Sequence, residues 1–445
     1  MLPLFESNGG VNHLPLSHQL AGVREKQWSP RELWEAHRRE DDPYRAFVTR
    51  FDDFVEPAPG PLHGAMLTIK DSLNIAGLPT VCGSRYRLSA PLPAKDAACV
   101  AKLKAAGATI LGKTNCPEFL ANYETDNAIT GWTANPWDRT RSAGGSSGGE
   151  AAAIAAGLSA GGVGSDGGVS IRLPAHFCGI AGLKPTPGRV SAVGHVPEIA
   201  HPGGLLGVVG PMARTVADVR LLFDVLAGYD PADPFSVPFE PRPVDLRGLR
   251  IGVIESFPMC SETATALRQA ADLLGGTDIF SFSGFVSSSA CWNFFFNVLT
   301  DPFKREIIAT DPELVHWTGL ELLQEPPAEP SGVEVVKQFA IRDKLRAVLL
   351  RQMADTPVLL APCCAVPAFR RRERNWNGIG LLEAMSCLTP FNLFGMPALS
   401  VPFALSSEGL PIGVQLIGRP YSEELLLAVG EQLEELRGLD LCELS

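Results

Sequence analysis

Apolar residues along this chain recur with two different periods. Between residues 17 and 48 the spacing is helical. Ser29-Pro30-Arg31-Glu32 marks a helix start. The Ser hydroxyl can accept from the backbone three residues on, the Glu can reach back, and Pro suits the first helical position. Pro57 to Pro61 is a turn-rich joint. Ala65-Met66-Leu67-Thr68-Ile69 then reads as a short apolar strand ending on Lys70-Asp71. Ala97 to Ala106 is predicted as an amphipathic helix closed by Gly107, and Ala108 to Leu111 as a buried strand. Glu150 to Ala156 and Arg214 to Ala227 are predicted helices. Leu249 to Ile254, Val358 to Leu360 and Ala398 to Pro402 are predicted strands. Residues 131–149 and 184–211 read as loops rich in Gly and Pro. Residues 230–248, rich in Pro and Asp, read as a linker between two lobes. Strands alternating with helices predict an α/β fold with a mostly parallel, buried sheet.

Composition narrows the function classes. The 445 residues are 45% hydrophobic and 20% charged, enough to build a large core. A net charge of −11 repels phosphate backbones, so no nucleic-acid partner is expected. The most apolar run, Ala151 to Gly164, is too short and too rich in Gly and Ala to span a bilayer. The N-terminal MLPLFESNGG lacks a basic region followed by a long apolar core, so no signal peptide is read there. Ten cysteines are scattered without CxxC pairing, which argues against a zinc site or disulfide scaffold and for reduced thiols in a cytoplasmic protein. No histidine or carboxylate spacing suggests a metal, and no cofactor is expected.

Gly107-Ala-Thr-Ile-Leu-Gly112-Lys113-Thr114 matches the phosphate-binding pattern GxxxxGK[ST]. That pattern needs a strand before the loop and a helix after it. Here a helix precedes Gly107, the four middle residues are strand-like, and Pro117 follows closely. The segment is therefore read as a strand end and a turn. Trp292 to Phe296 could form a membrane-docking or substrate-mouth patch, but a buried helix is the preferred reading.

Three segments carry chemistry. Leu67-Thr68-Ile69-Lys70-Asp71 places a Lys at the end of an apolar strand. Ala143-Gly144-Gly145-Ser146-Ser147-Gly148-Gly149-Glu150 is a Gly/Ser loop. Gly164-Ser165-Asp166-Gly167-Gly168-Val169-Ser170-Ile171-Arg172-Leu173-Pro174-Ala175 follows 24 residues later, counted serine to serine. Together they resemble the amidase-signature family. Gly112-Lys113-Thr114-Asn115, Thr133-Ala134-Asn135-Pro136-Trp137-Asp138, His176-Phe177-Cys178-Gly179-Ile180, Gly182-Leu183-Lys184-Pro185-Thr186, Gly210-Pro211-Met212 and Gly409-Leu410-Pro411-Ile412-Gly413 are similar to it as well. Residues 255–345 carry little of the resemblance.

The resemblance implies one large catalytic domain over residues 17–435, a mixed β-sheet sandwiched between α-helices. It implies Ser170 as nucleophile, Ser146 as a bridging serine after a cis peptide bond, and Lys70 as base. An acyl-enzyme would then form on Ser170. Backbone N–H groups of Gly167, Gly168, Val169 and Ser170 would form the oxyanion hole, Asp166 and Arg172 would hold that loop, and Leu120 and Asn122 would lie along the substrate channel. The roles are physically sensible. A serine hydroxyl needs a base, burial beside Met66, Leu67 and Ile69 would favour neutral Lys70, and a bridging hydroxyl can accept and donate at once. His176, close to Ser170 in sequence, is read as a packing residue.

The chain departs from the family pattern at Val169, where Gly usually precedes the nucleophile. If the backbone there needs a left-handed conformation, a β-branched residue is strained and activity is partly impaired. Alternatively, Val169 narrows the pocket. Three functions follow: an amidase acting on a small-molecule amide, with a homodimer possible; a catalytically weakened relative that binds ligand or serves as a partner subunit; and, less favoured, a subunit for glutamine-dependent amidation of charged tRNA. The sequence after Lys184 looks closer to stand-alone amidases and fatty-amide hydrolases.

Overall fold

A computed structural model describes residues 10–438 except 40, 200–205, 242, 277, 322 and 324. Most of the N-terminal stretch read above, the middle of the 184–211 segment and Cys442 lie outside the described residues. Eleven strands form one sheet: β1 (Phe47–Arg50), β2 (Met66–Lys70), β3 (Thr109–Thr114), β4 (Gly161–Asp166), β5 (Ala181–Lys184), β6 (Val208–Ala213), β7 (Ile251–Val253), β8 (Asp278–Ile279), β9 (Val358–Pro362), β12 (Ala398–Leu405) and β13 (Pro411–Gly418). Between β9 and β12 in the chain, β10 (Asn375–Trp376) and β11 (Ile379–Gly380) make a separate ribbon. The order across the large sheet is β1-β3-β2-β4-β6-β5-β12-β13-β9-β7-β8.

The sheet is mixed, and the expectation of mostly parallel pairing is corrected. β2 runs parallel to β3 and β4, and β7 parallel to β8 and β9. The six other adjacent pairs are antiparallel. The sequence reading missed β1, β4, β5, β6, β8 and β13, and β1 corrects the end of the stretch 17–48 predicted as helical, where the helices stop at Arg39. β4 is Gly-Gly-Val-Gly-Ser-Asp, a poor strand composition by propensity. Its glycines are steric requirements. A Cβ on Gly162 would lie 1.9 Å from Glu150 Oε1, and one on Gly164 would lie 2.8 Å from Ser147 Oγ. The helix Gly148–Ala155 can rest on this strand only because those side chains are missing. The segment 230–248 does not divide two lobes, because β7, which follows it, joins the same sheet beside β9.

Alternation along β2 sets up the site. Leu67 and Ile69 point into a core shared with the helices Ala98–Ala105, Val216–Leu226 and Glu423–Arg437. Burying each contributes about 1.5–3 kcal/mol. Thr68 and Lys70 therefore project to the opposite face, where the helix Gly148–Ala155 packs. The Ser29/Glu32 capping box is present at the helix Pro30–Arg39, with Glu32 N to Ser29 Oγ at 3.2 Å and Ser29 N to Glu32 Oε2 at 2.7 Å. The phosphate-loop look-alike is a helix end followed by β3. Its Lys113 is buried, 2.6 Å from Asp71, and donates to Pro79 O and Thr80 Oγ1 at 2.8 Å each.

Candidate active site

Lys70 ends β2 fully buried. Its ammonium donates to Ser146 Oγ at 2.7 Å, to Ser165 Oγ at 3.1 Å and to Ser165 O at 3.3 Å. Burial pushes its pKa down to about 8, against the opposing pull of nearby acidic groups that include Asp166 and Glu150. The Gly145–Ser146 peptide is cis. Ser146 and Ser170 line the same cavity. No hydrogen bond joins their hydroxyls among the described residues; the link there runs from Ser147 N to Ser170 O, at 3.2 Å. The sequence reading assigned no role to Ser165, which is Lys70's second hydroxyl partner. Only the packing of β4 against β2 brings it there.

Glu150 lies on the same sheet face. Burial raises its carboxyl to about 7, although Thr68, Thr114 and Lys70 favour the anion. Thr68 Oγ1 donates to one carboxylate oxygen and Thr114 Oγ1 to the other, the latter at 2.7 Å. A carboxyl inside an Ala-rich helix gives no sequence signal of this position.

The loop 166–170 is held peptide by peptide. Asn392 Nδ2 donates to Asp166 O at 3.1 Å, Trp292 Nε1 to Gly167 O at 2.9 Å, Arg172 Nη2 to Gly168 O at 2.9 Å and Leu173 N to Val169 O at 2.8 Å. In a trans peptide the C=O and the following N–H point in opposite directions. Anchoring the carbonyls of 166, 168 and 169 therefore turns the N–H groups of Gly167, Val169 and Ser170 the other way. Those three N–H groups carry no hydrogen bond among the described residues. Gly168 corrects the sequence expectation, because its N–H donates to Asp166 Oδ1 at 3.1 Å and is not free. Asp166 and Arg172 are a fully buried pair, Nε to Oδ2 at 3.0 Å. Burial by itself would raise the Asp166 carboxyl, but the Arg172 charge and its hydrogen bonds hold it at about 2. Asn392, more than two hundred residues further along the chain, bonds both residues.

Val169 is not among the residues with left-handed backbone, so the expected strain is absent. Its side chain is buried in a cluster with Leu173, Phe177 and Trp292, away from the cavity lining, so it does not narrow the pocket either. Leu120 does line the cavity, together with its neighbour Phe119, and both have positive φ. Asn122 does not line it. Its amide donates to Glu321 Oε2 at 2.7 Å and to Thr318 O at 3.3 Å, and its Oδ1 accepts from Glu124 N at 3.0 Å. His176 packs as read: Nδ1 accepts from Gly413 N at 2.7 Å, Nε2 faces Val366 O at 3.1 Å, and burial lowers its pKa to about 4.

The cavity holds about 330 Å³ and is mostly apolar, lined by Phe119, Leu120, Val208, Phe295, Phe296, Phe303, Ile307 and Ile308 among others. Phe303 is 62% exposed and Ile307 37%, which places them at its mouth. Trp292 to Phe296 is mainly buried, as preferred, and part of it faces the cavity. Trp292, Phe294 and Phe295 are buried, while Phe295 and Phe296 also face the cavity. Among the described residues, no group of three His, Cys, Asp or Glu could hold a metal. No helix among them is long and apolar enough to cross a membrane.

The family model for amidases matches residues 48–301 and 318–427. A subunit of the glutamyl-tRNA(Gln) amidotransferase of Chloroflexus aurantiacus is 36% identical over 417 residues, covering 85% of this chain and 83% of the relative. Among solved structures, 6-aminohexanoate cyclic dimer hydrolase superposes with a TM-score of 0.85 at 28% identity, covering 97% of this chain and 98% of that one. The corresponding glutamyl-tRNA(Gln) amidotransferase subunit of Thermotoga maritima superposes with a TM-score of 0.80 at 28% identity, covering 95% of each chain. With the mixed sheet, the helices on both its faces and the serine-rich segments on one of them, these likenesses make the chain a member of the amidase-signature family.

Proposed function

We propose that this chain is an amidase that cleaves a carboxylic acid amide through Ser170, with Ser146 as relay and Lys70 as base. The observation that carries this reading is the 2.7 Å contact between Lys70 Nζ and Ser146 Oγ beside the cavity that Ser170 lines. With Lys70 neutral, the Ser170 proton passes through Ser146 to Lys70 as Ser170 Oγ attacks the amide carbon. The N–H groups of Gly167, Val169 and Ser170 receive the developing oxyanion. The proton then goes to the leaving amine, and water releases the acid from the acyl-enzyme. The apolar lining favours an apolar acyl or aryl group, since each buried CH₂ contributes about 0.8 kcal/mol.

The test combines labelling with turnover. A fluorophosphonate is expected to modify Ser170, and Lys70→Ala and Ser170→Ala are each expected to abolish hydrolysis across a panel of amides. Phe303→Ser is expected to raise KM for long-chain amides and leave short ones unchanged. Near-normal turnover in Ser170→Ala would sink the proposal.

A second reading, a subunit of a glutamine-dependent amidotransferase, draws on the 36% identity to such a subunit. Ammonia release from glutamine, and a second subunit that co-purifies with the chain, would favour it. The lining is mostly apolar, and Tyr86, Glu118, Glu198 and Lys304 are among the polar groups in it that a glutamine amide and its charged α-groups would have to meet.

A further inference from the structure

We infer that Trp292 is a positioning residue for the oxyanion loop, acting through the peptide between Gly167 and Gly168. The inference rests on Ser170 being the nucleophile. Trp292 lies within the first stretch matched by the family model, outside the three segments that carry the chemistry, and it meets the loop in two ways. Its indole N–H donates to Gly167 O at 2.9 Å. Its six-membered ring occupies the space that a side chain on Gly168 would need: a Cβ there would lie 2.4 Å from Trp292 Cζ2. The indole is itself fixed. It is 3% exposed and stacks on Phe296 with centroids 4.7 Å apart and planes 15° apart. Trp292 and Phe296 are four residues apart, so they meet on one helical face, and the chain there makes a π-turn over Phe294–Val298, closed by Leu299 N to Phe294 O at 2.8 Å. Such a turn within a helix often marks a functional position.

The 167–168 peptide has two anchors, Trp292 on its carbonyl and Asp166 on its N–H. The peptides on either side supply the free N–H groups of Gly167 and Val169. Without the indole donor, the Gly167 carbonyl loses its partner, and the central peptide can rotate. The N–H groups of Gly167 and Val169 then lose the fixed peptide that spaces them. An oxyanion site depends on donors fixed before charge develops, so the loss falls on the reaction step and not on ground-state binding.

Two variants test this. Trp292→Phe keeps an aromatic ring and removes the donor. Gly168→Ala keeps the donor but collides with the indole. The readout is the rate of Ser170 labelling by a fluorophosphonate, followed by intact mass. In that reaction Ser170 Oγ forms the P–O bond, fluoride leaves, and the hydroxyl proton passes to the base. Trp292→Phe is expected to slow labelling and lower kcat about tenfold, with KM changed less than about threefold and the melting temperature little changed. Gly168→Ala is expected to slow labelling at least as much in the natural background, and to cost little more once Trp292→Phe has replaced the indole, whose Cζ2 is the obstructing atom, with the smaller phenyl ring. An unchanged labelling rate in Trp292→Phe overturns the inference, as does a double variant whose losses simply multiply. Absence of any Ser170 labelling in the unaltered protein would instead overturn the nucleophile assignment on which the inference rests.

Discussion

The titration of Lys70 ties the proposed mechanism to a measurable profile. Its ordinary value is 10.5, and burial lowers it to about 8. Only the neutral amine can take a proton from Ser146, so the active fraction rises with pH. With the value near 8, about one tenth of the molecules are competent at pH 7 and about nine tenths at pH 9. The expected profile of kcat/KM on a neutral amide therefore climbs about tenfold per pH unit below 8 and levels off by about 9. An unshifted lysine would keep climbing beyond pH 10. One acidic neighbour whose charge can be removed without touching the loop 166–170 is Glu150, whose carboxyl is raised to about 7 and whose anion favours the ammonium, less strongly than Asp166 does. Removing that negative charge in Glu150→Gln disfavours the ammonium, so the midpoint should move to lower pH. The assay is kcat/KM from pH 6 to 10 at constant ionic strength, for the unaltered protein and Glu150→Gln. A profile flat from pH 6 to 9 would refute the assignment of Lys70 as base, and so would a rise that continues past pH 9.5.

Other expectations follow from packing. Val169→Gly removes a buried side chain and adds backbone freedom, so chemical denaturation should record a loss of about 2–4 kcal/mol with turnover per folded molecule within about twofold; a general tenfold gain in activity would instead point to strain relieved at that residue. Arg172→Met leaves the Asp166 carboxylate buried without its partner, and denaturation should record a loss of about 3–5 kcal/mol. Dialysis against EDTA should leave hydrolysis intact, given the absence of a ligating cluster among the described residues; loss restored by zinc would overturn that.

Local chemistry made some features legible from sequence alone. Ser29 and Glu32 define a helix start whatever the rest of the chain does. The apolar run before Lys70 demanded a buried strand, and a lysine at its end is unusual enough to notice. The two serine-rich segments were recognisable because residue types and spacing survive in the chain itself. Hydrogen-bond partners are another matter, because strand order and helix placement choose them. The sequence could not say that Gly168 would turn its N–H toward Asp166, that Ser165 would meet Lys70, or that Asn392 and Trp292, more than a hundred residues away, would hold the carbonyls of the same loop. β4 escaped detection because its glycines answer to the helix lying on it and carry no strand pattern. Val169 was judged by the backbone its neighbours suggested, whereas the fold gives it an ordinary conformation and a place in the core. Spacing constrains only a few bonds of chain, and long-range packing decides which groups are satisfied and which are left to face a substrate.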